Sequence, residues 1–139
     1  MDGDFWIWTV VIGGIFAVGG GAIAITTLNP LGNRIPFSQP VTDLSIPLDT
    51  AALSAFESGL EAFQRRGYGE AVAAFDWVIE QEPTCAEARH NRALAQANLG
   101  KLNLALPDFL KANELYDQQG TKVGVDAVMA ALETLAQRR

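Results

Sequence analysis

Residues 67–83, GYGEAVAAFDWVIEQEP, and residues 101–117, KLNLALPDFLKANELYD, share an outline with almost no identical letters. Set 34 residues apart, Tyr68 meets Leu102, Ala71 meets Ala105, Phe75 meets Phe109 and Val78 meets Ala112; upstream, Gly59 meets Ala93. A small residue on one helix of an antiparallel pair lets the other approach closely, and an aromatic one turn onward fills the space beside it. The recurrence is therefore a packing repeat, in which each hairpin leaves an apolar face that its neighbour covers.

Working outward from this pair, the pattern from residue 49 onward is helical. Asp49 or Thr50 is placed to cap a helix over about 51–65, where Leu53, Phe56, Leu60 and Phe63 make one apolar stripe. Gly67 and Gly69 flank Tyr68 in an expected break. A second helix, about 69–82, presents Val72, Phe75, Val78 and Ile79 before Pro83 stops it. A third runs about 86–99 to Gly100, a fourth about 103–116, and a fifth about 121–137 with Val125, Val128, Leu132 and Leu135 on one face. No stretch alternates as a strand does, so the expected class is all-α.

The series Gly59, Tyr68, Ala71, Phe75, Pro83 and its echo Ala93, Ala105, Phe109, Ala112 resemble the tetratricopeptide repeat (TPR) family across residues 52 to about 117. That resemblance implies an α-solenoid domain over 49–139, with hairpins at about 51–83 and 86–117 and a capping helix at about 121–137. Departures are Ser58 where a large apolar residue is common, Val78 where alanine is, Asp117 in place of the terminal proline, and Pro107 early in a helix. Proline is tolerated in a first turn, where a backbone donor is free anyway, so a tight start is expected there. Two hairpins are fewer than the three units usually needed to bury a continuous core. The fifth helix, polar on its outer face through Asp126, Glu133 and Gln137, is expected to supply the missing cover.

Ahead of this domain, residues 5–28, FWIWTVVIGGIFAVGGGAIAITTL, hold no charged side chain. Such a run is long enough to cross the roughly 30 Å hydrocarbon slab as a helix. The reading is a single-pass anchor within 1–28; a cleaved signal with Ala22-Ile23-Ala24 as its processing site is the competing account. Gly13, Ala17 and Gly21, four apart, form an expected seam for another transmembrane helix. Arg34 alone follows the span closely, which places the repeats on the cytoplasmic or stromal side. Residues 29–48 carry four of the six prolines and read as a linker. As polyproline II it reaches about 60 Å. Either it is a plain tether, or Phe37, Leu44 and Ile46 dock on a surface.

Residues 49–139 contain nine Lys/Arg and thirteen Asp/Glu, a net of −4 with His90 neutral, which disfavours nucleic acid as a partner. Cys85 is the single cysteine and His90 the single histidine, too few for a structural metal set. No phosphate-cradling loop or nucleophile elbow is present, so neither cofactor nor enzymatic activity is expected. His90 reads as a hydrogen-bonding or wall residue, Cys85 as a small filler, and Trp77 as a partner contact or a half-buried packing residue.

In the TPR family the first helices of successive hairpins line a concave groove that holds peptides or helices. The resemblance places Leu53, Phe56, Leu60 and Phe63 there from the first unit, and Glu87, His90, Asn91, Leu94 and Asn98 from the second. The alternative for Phe56 and Phe63 is packing inside the stack or under the linker. The expected occupant is an amphipathic helix or an extended segment of a protein partner. The whole layout is similar to thylakoid TPR proteins of cyanobacteria and plastids that help photosystem I assemble. The implied role is a membrane-anchored scaffold for assembly or stability of a membrane complex; the other reading is a stoichiometric accessory subunit.

Overall fold

A computed structural model describes residues 35–138, and the secondary structure among them is entirely helical. The helices are α1 (Thr50–Gln64), α2 (Tyr68–Gln81), α3 (Ala86–Asn98), α4 (Leu102–Gln118) and α5 (Lys122–Ala136). Each packs chiefly on its neighbours in the chain, α1 on α2, α2 on α3, α3 on α4 and α4 on α5. The expected membrane span, its Gly13, Ala17 and Gly21 seam, and the linker up to Arg34 lie outside the described residues. No helix among the described residues is long and apolar enough to cross a membrane.

Local chemistry accounts for the helix ends. Asp49 caps α1 by accepting from the Ala52 N–H at 2.7 Å. Three helices close with the same reverse turn, in which the two residues past the cap donate back to the last turn. These are Arg66 to Phe63 with Gly67 to Ala62, Gly100 to Ala97 with Lys101 to Gln96, and Gly120 to Asp117 with Thr121 to Tyr116. The turn needs positive φ, which Gly100 and Gly120 adopt freely at 76° and 70°; after α1 it falls on Arg66 at 65°. The expected break at Gly67 and Gly69 is thus corrected. The left-handed residue is an arginine, and Gly69 lies in the first turn of α2. Pro107 is corrected too: it is the sixth residue of α4, beyond the first turn. The position is exposed and forfeits one helical N–H, which the rest of the helix tolerates.

The packing repeat is realised as close contact. A methyl added at Gly59 would lie 2.6 Å from the Phe75 ring, so α1 sits directly on that ring. Gly59, Ala71, Phe75, Ala93, Ala105 and Phe109 are all buried. At the far end Gly124 seats α5 on the Tyr116 ring in the same manner, and Val128, Ala131 and Leu135 close the core. Asp126, Glu133 and Gln137 face outward, joined there by the exposed apolar Val123 and Met129.

A charged knot ties the middle helices. The Arg92 guanidinium binds both oxygens of Asp108 on α4, at 2.7 and 2.6 Å, and reaches Asp76 on α2 at 2.7 Å. A two-pronged pair with a nearly buried carboxylate is geometrically selective. The Asp108 hydrogen bonds hold Arg92 protonated far above any working pH.

Candidate functional site

The stripe Glu87, Asn91, Leu94, Asn98 runs along one face of α3 at spacings of four, three and four. Across it lies an arm, residues 35–48, that has no regular secondary structure and runs antiparallel to the helix. Asn98 accepts from the Phe37 N–H at 3.0 Å and donates to the Phe37 carbonyl at 2.8 Å. Asn91 does the same to Val41, at 2.6 and 2.7 Å. Glu87 accepts from the Ser45 N–H at 2.8 Å and also from the Ser45 hydroxyl. Each contact reads main chain, apart from the serine hydroxyl. Asn98 and Asn91, seven residues apart, are separated by about 10.5 Å along α3. Four extended residues, Phe37 to Val41, span about 12 Å, so register is kept.

Side chains of the arm anchor it from above. The Phe37 ring stands edge-on to Phe109, with centroids 6.1 Å apart. Ile35, Leu44, Ile46 and Leu48 are half-buried against the same core. The docked alternative for Phe37, Leu44 and Ile46 is the one the structure displays. The compact helical unit accordingly begins at Ile35 and not at residue 49. At the arm's C-terminal half, Thr121 donates to the Ser45 hydroxyl at 3.2 Å. Glu87 and Thr121 are 34 residues apart, so Ser45 bridges equivalent positions of successive units. Beside it an open cleft of about 360 Å³ is lined by Leu44, Glu87, Tyr116, Val123, Gly124 and Ala127, among others.

Beneath the arm sits His90, 2% exposed, edge-on to Phe109 and Tyr116 and sharing a hydrogen bond of 3.3 Å between its Nδ1 and the Tyr116 hydroxyl. Burial lowers its pKa to about 4, so the ring is neutral at physiological pH. Burial first, then the Glu87 and Cys85 charges, pushes the Tyr116 phenol well above its ordinary value. The Cys85 thiol, buried and 3.9 Å from Glu87, is pushed up to about 11, chiefly by desolvation. Such a thiol is protonated at neutral pH and a poor nucleophile.

The nine groove positions expected from sequence therefore divide. Glu87, Asn91 and Asn98 meet the arm directly, while His90 and Leu94 are buried. In the first unit Phe56 and Phe63 are corrected. Each is 1% exposed and faces α2, Phe56 edge-on to Phe75 at 5.7 Å and Phe63 edge-on to Tyr68 at 5.1 Å. Their stripe is the seam of the first hairpin. Leu60 is half-buried against the core and Leu53 is 38% exposed. Trp77 is 39% exposed. Sequence reasoning missed Ser45, Tyr116 and the Arg92 knot; the only trace of the last is the spacing of 16 from Asp76 to Arg92 to Asp108. No protein-family model matches the chain, and neither a curated protein nor a solved structure does.

Proposed function

We propose that the chain is a membrane-anchored scaffold of the TPR type, whose α3 groove holds an extended segment of a partner protein during assembly or stabilisation of a membrane complex. The observation that carries this reading is the pair Asn91 and Asn98. Each spends both its donor and its acceptor on the main chain of an extended segment. Amide pairs of that kind recognise a strand-like chain irrespective of most of its side chains, as a binding module requires. The 34-residue packing repeat and the serial stacking of helices support the family assignment. The uncharged run over 5–28 supports the anchor, with the repeats on the cytoplasmic or stromal side. A photosystem in a thylakoid membrane is a complex of the right kind. Binding rather than catalysis is the role proposed: His90 lies buried beneath the arm, and burial keeps the Cys85 thiol protonated and a poor nucleophile.

The test is photocrosslinking in native membranes from a photoreactive residue at Val123, which is 81% exposed on the rim of the cleft. A discrete protein adduct is expected, lost when Asn91→Ala and Asn98→Ala are combined. Adducts confined to immature complexes support an assembly factor, and adducts in the mature complex a permanent subunit. An adduct pattern indifferent to the two asparagines overturns the groove as the binding site.

A further inference from the structure

We infer that residues 35–48 are an exchangeable occupant of the groove, a built-in competitor displaced by an extended segment of another protein; this rests on the peptide-holding role proposed above. The arm is held as a foreign peptide would be held. Asn98, Asn91 and Glu87 take the main-chain N–H of Phe37, Val41 and Ser45, and these bonds carry over to any chain that presents a donor at the same register. Among the described residues no backbone–backbone hydrogen bond joins the arm to a helix. Ser38, Gln39, Thr42, Asp43 and Pro47 face solvent. Because side chains and not a backbone ladder hold it, the arm can leave without breaking a hydrogen bond internal to any helix.

The groove also states what it accepts. It needs an N–H at three positions spaced by four, so proline is barred there. The prolines of the arm, Pro36, Pro40 and Pro47, all avoid those positions. The first position wants an aromatic ring to stand on Phe109. At the third, the Glu87 carboxylate is wholly buried and takes both an N–H and a hydroxyl. Serine or threonine fits there. Aspartate or glutamate would set a second carboxylate against a buried one and is rejected. Apolar residues flank it, as Leu44 and Ile46 do. The partner segment is thus extended and antiparallel to α3, free of proline at the three contact positions, with an aromatic eight residues before a Ser or Thr that lies between apolar residues. A tethered competitor acts at an effective concentration of order millimolar, so its removal raises apparent affinity for a free segment by the factor to which it keeps the groove closed.

The probe is a fluorescein-labelled peptide with the sequence of residues 35–48, blocked at both ends. It is titrated by anisotropy against the full chain in detergent micelles and against a full chain whose residues 35–48 are replaced one for one by glycine and serine. The replaced chain is expected to bind at least tenfold more tightly than the original. That binding should be lost when Asn91→Ala and Asn98→Ala are added, and should fall at least tenfold for a peptide carrying the Ser45→Glu change. Equal affinity for the two chains overturns exchange, and so does loss of helical circular dichroism on replacement, which would make the arm part of the fold. Hydrogen exchange on the unaltered chain is the second measure. The Phe37, Val41 and Ser45 amides should exchange at least a hundredfold faster than the Ala93 and Leu94 amides of α3, and exchange in step with α3 overturns the inference. A dimer by light scattering that the peptide dissociates would identify a second copy's arm as the occupant and overturn the foreign partner. If the peptide exchanges while crosslinking from Val123 finds no partner, the scaffold role fails; a partner without exchange sinks only the competitor.

Discussion

The two hairpins share a skeleton and differ in what their first helices show to the outside. Shifted by 34 residues, Phe56 becomes His90, Glu57 becomes Asn91, Leu53 becomes Glu87 and Gln64 becomes Asn98. In the first hairpin Leu53, Glu57 and Gln64 are exposed, and the aromatic Phe56 completes the seam with α2. In the second, a histidine holds the seam position and the polar stripe above it binds a chain. One packing solution thus serves both hairpins. The hold on the arm comes from three of these differences, Glu87, Asn91 and Asn98.

Truncating the shared aromatic should break this parallel most severely. Phe75→Ala and Phe109→Ala each remove a fully buried ring and are expected to cost about 3–5 kcal/mol in chemical denaturation. Only Phe109→Ala should also speed amide exchange at Phe37, whose ring stands on it.

The next test is the exchange of Phe56 for His90. Because the folded pKa of His90, about 4, lies below its ordinary 6.5, the unfolded chain binds the extra proton. Stability from this residue is complete above about pH 6.5 and declines as pH falls toward 4. The loss reaches about 2 kcal/mol by pH 5. Urea midpoints of the original and of His90→Phe, compared between pH 7 and pH 5, should diverge with the variant nearly flat. Parallel curves would show that His90 is not held neutral.

A smaller effect separates Gly59 from its counterpart Ala93. Gly59→Ala places a methyl against a fully buried ring, at a cost of about 1–3 kcal/mol, partly offset by the better helix propensity of alanine. A net loss of up to about 2 kcal/mol in thermal or urea unfolding is expected, and a gain would mean that α1 shifts freely on α2. Smallest is Arg66, the counterpart of Gly100. Arg66→Gly removes a side chain from a left-handed position and should stabilise by about 0.5–1 kcal/mol, seen as a higher unfolding midpoint.

How far these features were legible follows from the range of the forces involved. Helix extents and the Gly59–Phe75 and Ala93–Phe109 correspondences depend on neighbours in the chain and on a repeat, and both are written locally. The Asn91 and Asn98 stripe was legible as a face of α3, but not its occupant, which arrives from 50 and 61 residues away. Phe56 and Phe63 misled because a period of three and four identifies a stripe without saying whether it turns toward the next helix or toward a groove. The left-handed turn fell on Arg66 because hydrogen bonds back to Ala62 and Phe63 set its place, while Gly67 one step on only suggested it.

By itself the sequence determined that the chain after residue 49 folds as paired helices in a 34-residue repeat, since side-chain periodicity and turn residues act over a few positions. Only the tertiary structure decided that the proline-rich arm lies in the α3 groove and that Asn91, Asn98 and Glu87 hold its main chain. Backbone donors and acceptors are alike at nearly every residue, so their pairing across long separations is selected by shape in three dimensions and leaves almost no mark in the letters.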